Sequence, residues 1–231
     1  MMNGAFCFFG GIEEEFMRSD SRICGIRLRK VDSHNYAKNP RQQKEQFLET
    51  FINPPQKIPL GLRLGIWFAE KTTGRRMLPA RILAWYPKAA IGSGVMEALV
   101  AHEDGGISQR MLKLVRMAAS FATACPFCID MNSHEHTALG IDAREVSALR
   151  GQVDLDDVSG FSKRERLAIQ YARLVSQTPL KFQPDFFEQL RQHFNEREVV
   201  ILASTAAQVN YWARLIQSLG IPPAGFSDNL I

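Results

Sequence analysis

From residue 46 onward apolar residues recur three and four positions apart, and nowhere do they alternate over a useful length. Helices that each bury one stripe read this way, so the pattern predicts an all-α bundle. A helix beginning at Gln46, with Phe47, Leu48 and Phe51 on one side, is stopped by Asn53-Pro54-Pro55. Leu60 to Lys71 presents Leu64, Trp67 and Phe68 on one face, expected to be buried, and Gly74 ends it. Pro79 to Tyr86 is closed by Pro87, and Ala89 to His102 by Glu103-Asp104-Gly105-Gly106. Ser108 can cap a helix from Gln109 to about Thr123. The next runs from Pro126 to Leu139, with Gly140 as a left-handed cap. Asp142 to Leu149 is short, and Gln152 to Ser159 is a polar, acidic loop. Ser162 and Glu165 fit a capping box for a helix that ends before Pro179, and Pro184 to His193 makes another. Asn195 and Glu198 repeat the box, with Phe194 and Val199 placed as a hydrophobic staple, and the last helix runs to Leu219.

Residues 1–43 carry no sustained period and are expected to form a loosely ordered extension ahead of a single helical domain over 44–231. A hydrophobic share of 45% over 231 residues is enough for a sizeable core. The net charge of +4 is mild and its cations are scattered among acids, which argues against a nucleic-acid partner. No run approaches the roughly 20 apolar residues of a membrane span. The apolar start lacks a basic n-region and meets Glu13-Glu14-Glu15 at once, so a signal peptide is not expected. A cytoplasmic location follows as the expectation, and there a close cysteine pair points to redox or metal chemistry more than to a structural bridge.

Four cysteines are present, and only Cys125 and Cys128 form a motif, within Cys125-Pro126-Phe127-Cys128-Ile129-Asp130-Met131. Pro126 suits the first helical position, which puts Cys125 at the N-cap. There, unpaired backbone N–H groups and the positive end of the helix dipole stabilise a thiolate, so its pKa is expected below about 8.5. Cys128 lies three residues on, within disulfide reach. Such a pair serves peroxide reduction or disulfide exchange. Cys125 is expected to be the more exposed thiol and to exchange with partners, with Cys128 more buried. A zinc set with His134 and His136 is disfavoured, because residues two apart on a helix point about 200° apart. Asn132 lies over the pair and can orient a thiolate, but cannot exchange a proton near neutrality. No phosphate loop or convincing metal set appears, so no cofactor is expected.

The stretch from Arg110 to Arg150 around Cys-Pro-Phe-Cys-Ile-Asp-Met resembles the carboxymuconolactone decarboxylase-like superfamily, and within it the alkyl hydroperoxidase D-like (AhpD-like) branch. The likeness continues through Phe161 to Arg166 and through Asn210-Tyr211-Trp212-Ala213-Arg214-Leu215. It implies an all-α AhpD-like bundle that assembles into trimers or hexamers. It also implies a thiol peroxidase in which Cys125 and Cys128 alternate between dithiol and disulfide. The substrate would be a hydroperoxide or another small molecule, and an external dithiol or disulfide reductant protein would restore the pair. The branch places a Glu twelve residues before the first cysteine and a His four after the second, as a proton relay. Here Lys113 and Asn132 occupy those positions. Lys113, if aimed at the pair, would favour thiolate electrostatically. Two alternatives stay open: a helical oligomer with a sensing or structural pair, and a decarboxylase-like lyase that does not use the thiols.

Overall fold

The computed structural model describes residues 50–100 and 106–227. The expected N-terminal extension, Cys7 and Cys24, residues 46–49 of the first expected helix and the Glu103–Gly105 breaker lie outside the described residues. Phe51 and Ile52, where that helix was expected to end, form a bend.

The described residues are helical, without strands. The order is α1 (Leu60–Thr73), α2 (Leu78–Leu83), α3 (Pro87–Leu99), α4 (Gln109–Ala122) and α5 (Pro126–Ser133), then a 3-10 turn (His136–Leu139). After these come α6 (Ala143–Leu149), α7 (Lys163–Val175), α8 (Pro184–His193) and α9 (Glu196–Ser218). No helix among them is long and apolar enough to cross a membrane.

The centre is α4. Ser108 caps it by accepting the Met111 N–H at 3.2 Å. Its apolar residues come so densely that Leu112, Leu114, Val115, Met117, Ala118 and Ala119 are all buried. It packs chiefly on α7, then on α9 and α5. Full burial of a Leu or Val side chain is worth about 1.5–3 kcal/mol, so this one helix contributes heavily to folding. The larger apolar cluster joins α4 to α6, α7 and the first half of α9. A smaller one joins Cys125, Phe127 and Cys128 to Ile82 of α2, Ala213 and Ile216 of α9, and Ile221 beyond it.

Both expected capping boxes are present, at Ser162/Glu165 and Asn195/Glu198, and Asp142/Glu145 makes a third that opens α6. Arg110 of α4 links two of them, donating Nε to Glu165 Oε1 at 2.8 Å and Nη2 to Glu145 Oε1 at 2.5 Å. Burial pushes the Glu165 carboxyl up, but the hydrogen bonds from Ser162 and Arg110 outweigh it and leave the group below its usual range.

Two expectations need correction. The helix of the cysteines ends at Ser133, not Leu139: Glu135 takes a left-handed conformation (φ 53°) and a 3-10 turn follows before Gly140. The second concerns α1, where Leu64, Trp67 and Phe68 are 66%, 53% and 63% exposed and Ile66 is the buried residue. On α3, Ile91, Val95 and Leu99 are likewise exposed, at four-residue spacing. Amphipathic periodicity reports that a face wants cover; it does not report that this chain supplies it.

Candidate active site

The cysteines enter from the end of α4. Thr123 closes that helix, and Ala124 then takes a left-handed conformation (φ 47°), which costs a residue with a Cβ about 1–2 kcal/mol. The reversal sets Cys125 in extended geometry at the N-cap of α5, with Pro126 at the first helical position. Cys125 Sγ accepts the Cys128 N–H at 3.2 Å, and the two cysteines are joined as a disulfide with Cα atoms 5.2 Å apart. A thiolate on Cys125 would keep that amide and stand at the positive end of the α5 dipole.

Exposure does not divide the pair as expected. Cys125 is fully buried (0%) and Cys128 nearly so (3%), yet Cys128 lines a partly open cavity of about 160 Å³. Cys125 instead packs in the small apolar cluster with Ile82, Ile216 and Ile221. The reason is helical geometry: the N-cap residue is wedged between α5 and the end of α9, whereas the residue one turn on faces inward across the bundle. The sulfur that a small molecule in the cavity meets is therefore that of Cys128.

The cavity walls are mostly apolar, with Met77, Leu83, Phe127, Met131 and Trp212 among them. Asn132 shares the wall with Cys128 and is held by Ser120, whose Oγ accepts Asn132 Nδ2–H at 2.9 Å. Lys113 points elsewhere. Its ammonium donates to the His134 carbonyl at 2.8 Å, at the C-terminal end of α5, one helix length from the N-cap. There it complements the negative end of the dipole. Burial, aided by the nearby Arg116 charge, lowers its pKa, while Glu135 opposes the shift. His134 donates Nδ1–H to the Phe226 carbonyl and His136 donates to the Ser133 carbonyl, both at 2.8 Å. Among the described residues no three His, Cys, Asp or Glu side chains converge as a metal set.

A polar corner of the same cavity carries residues that sequence reasoning did not single out for this site. Glu97 of α3 accepts from Arg116 Nη2 (3.1 Å), Gln208 Nε2 (2.8 Å) and Trp212 Nε1 (3.0 Å). Arg116 also donates to Gln208 Oε1 at 2.8 Å. The available signal was placement: Arg116 interrupts the apolar stripe of α4 between Val115 and Met117.

Asp130, fully buried on α5, fastens the segment that follows α9. Its carboxylate accepts the N–H groups of Ala224, Gly225 and Ser227 at 2.7–2.9 Å. That strap brings Ile221 and Ala224 onto the cluster around Cys125. Asp130→Ala should lower stability by about 2 kcal/mol in urea unfolding; the effect stays below the sum of three charge-assisted bonds because the strap can peel away and hydrate. Cys125, once reduced, should then alkylate faster in the variant than in the parent chain.

No family model matches the chain. It is 25% identical over 176 residues to the uncharacterized protein YnjA of Escherichia coli (strain K12), covering 75% of this chain and 94% of YnjA. Its structure is similar to an AhpD-core, peroxidase-related protein from Ralstonia eutropha JMP134 (TM-score 0.63, 18% identity, 75% and 92% of the two chains). It is also similar to the debrominase Bmp8 bound to 2,3,4-tribromopyrrole (TM-score 0.66, 17% identity, 78% and 94% covered). The chain thus has the AhpD-like, carboxymuconolactone decarboxylase-like helical fold, with a Cys125–Cys128 pair of which Cys128 lines the cavity.

Proposed function

We propose that the chain is a thiol peroxidase that reduces small hydroperoxides with the Cys125–Cys128 pair. The observation that carries the reading is the placement of one sulfur of a redox pair on the wall of a cavity large enough for a small molecule. In the dithiol state the Cys128 thiolate attacks the terminal peroxide oxygen. An S–O bond forms, the O–O bond breaks, and the alkoxide leaves as the alcohol after taking a proton from solvent. Cys125 then attacks the Cys128 sulfenic acid, hydroxide leaves as water, and the disulfide forms. An external dithiol supplies two electrons and two protons by attacking Cys128 Sγ. Cys125 is the leaving group, stabilised by the Cys128 amide. Asn132 cannot exchange a proton near neutrality, and Lys113 is engaged at the far end of α5, so neither activates the Cys128 thiol.

The test is dithiothreitol-dependent consumption of cumene hydroperoxide. Activity in the parent chain that disappears in the Cys125→Ser, Cys128→Ser double variant supports the reading, and activity that persists in the double variant rejects it. The likeness to Bmp8 favours a second electrophile for the same pair, a halogenated ring, in which carbon–halogen reduction releases halide and forms the disulfide. Halide release measured beside peroxide consumption separates the two.

We further propose that α1 and α3 pack against a second copy of the chain, in a trimer or hexamer. Their exposed Leu64, Trp67, Phe68, Ile91 and Val95 form apolar faces of the kind that homo-oligomers cover. Light scattering should show an assembly that Leu64→Glu with Val95→Glu reduces to monomer; a monomeric parent chain contradicts this.

A further inference from the structure

The cavity beside Cys128 is a seam between two parts of the molecule. Ala69, Leu83 and Glu97 wall it from α1, α2 and α3, while Cys128, Asn132 and Val209 wall it from α5 and α9. The α1–α3 side holds itself together. Helix α3 packs on both α1 and α2, and Arg81 of α2 grips Glu70 of α1 through Nε and Nη2, each at 2.6 Å. The Met77 N–H adds a third bond to Glu70 at 3.0 Å. The hold of these helices on the bundle is thinner. Together α1–α3 bury Ile66, Pro79, Ile82, Leu83 and Ser93, whereas α4 alone buries eight residues. Segments with few buried apolar contacts open at a lower free energy than the core.

Attachments across the seam are of two kinds. Leu78 and Ile82 of α2 pack into the apolar cluster with Cys125, Ile216 and Ile221. In the last turn of α3, Glu97 accepts from Arg116, Gln208 and Trp212, and Gln208 Nε2 also donates to the neighbouring Met96 carbonyl at 3.4 Å. The Arg116 and Glu97 side chains keep 22% and 35% exposure, so water competes for both, and an ion pair of this kind breaks at low cost. The apolar end is therefore suited to a pivot and the polar end to a clasp. We propose that α1–α3 form a cap that opens about Ile82, with Glu97 as the clasp whose release uncovers Cys128 for an external dithiol. An attacking thiolate must approach Cys128 Sγ in line with the S–S bond, from the side away from Cys125. At 3% exposure Cys128 presents little surface to a bulky reductant while the cap is shut. The proposal rests on the reading that an external dithiol attacks Cys128, but not on which oxidant is reduced there.

The test is hydrogen–deuterium exchange of the full chain, read by peptide mass spectrometry, beside alkylation of Cys128 in the reduced Cys125→Ser chain. In the parent chain, peptides of α1–α3 should exchange faster than those of α4 and α7. Glu97→Gln keeps the shape of the side chain, removes its charge and turns an N–H group toward donors. Peptides of α1–α3 should then exchange about tenfold faster, the loss of one charge-assisted bond, with those of α4 and α7 unchanged. Labelling of Cys128 by fluorescein maleimide should rise by the same factor. Labelling by iodoacetamide, a small reagent that enters the partly open cavity, should rise by less than about twofold. Trp212→Phe leaves both charges in place and removes one donor, so it should move each rate the same way by about threefold, and it keeps the test open where Glu97→Gln fails to fold. Three results overturn the proposal: α1–α3 exchanging as slowly as α4 in the parent chain, equal acceleration of every helix in the variants, or faster exchange without faster maleimide labelling. None of these readings involves peroxide, so an absence of peroxide turnover counts against the peroxidase reading alone.

Discussion

Hydroperoxide reduction is expected to fall by on the order of 10³-fold or more in Cys128→Ser, whereas Cys125→Ser should still consume one equivalent of peroxide before stopping. The asymmetry follows from position. Cys128 stands on the cavity wall and Cys125 lies behind it, fully buried in the cluster with Ile82, Ile216 and Ile221. A hydroxyl at 128 removes the nucleophile, so the first step is lost. A hydroxyl at 125 leaves the first step intact and removes the resolving thiol, so the Cys128 sulfenic acid accumulates. Rapid-mixing measurement of peroxide consumed per subunit separates the two behaviours. Full multiple turnover in Cys125→Ser would show that resolution does not use the pair.

The largest effect on stability is expected at Arg110. Arg110→Met should destabilise the chain by about 3 kcal/mol at neutral pH, read from urea unfolding. The guanidinium is the shared partner of Glu145 and Glu165, both largely buried, and its removal leaves two carboxylates facing each other's surroundings without a cation. It also donates to the Gly140 carbonyl at 2.7 Å, so α4, the turn after α5, α6 and α7 lose one common fastening. The pH dependence has a definite sign. The Glu165 pKa is lowered on folding from 4.5, so its contribution is complete above that value and is lost as the pH falls through the lower folded value. The gap between the parent chain and Arg110→Met should therefore be largest at pH 7 and narrow at pH 3. A gap that holds constant across this range would mean that lost packing of the Arg110 stem, rather than its charge, carries the effect.

The helices and their caps were legible in the sequence because their signals are local. Ser162 with Glu165, and Asn195 with Glu198, specify helix starts that depend on residues three apart, and both starts are found. The stop of α5 was not legible. Gly140 is a good left-handed cap, and it does end the 3-10 turn, but the break at His134 depends on Glu135 taking a left-handed conformation that residue type does not announce. Similarly, the motif around Cys125 and Cys128 could be read along the chain, while the exposure of each thiol could not. Cys125 is buried by Ile82 from one side of the sequence and by Ile216 and Ile221 from the other. The polar corner is the extreme case, since Glu97, Arg116, Gln208 and Trp212 come from three helices and converge only in the folded chain.

The central claim is that Cys128 is the attacking thiol. Each single-serine variant, reduced and freed of reductant, would be mixed with one equivalent of cumene hydroperoxide in the presence of a sulfenic-acid trap and analysed by peptide mass spectrometry. Trapped sulfenic acid at Cys128 in Cys125→Ser, with none at Cys125 in Cys128→Ser, is the predicted result. Trapping at Cys125 as fast as at Cys128, or at neither position while peroxide is still consumed, contradicts the account.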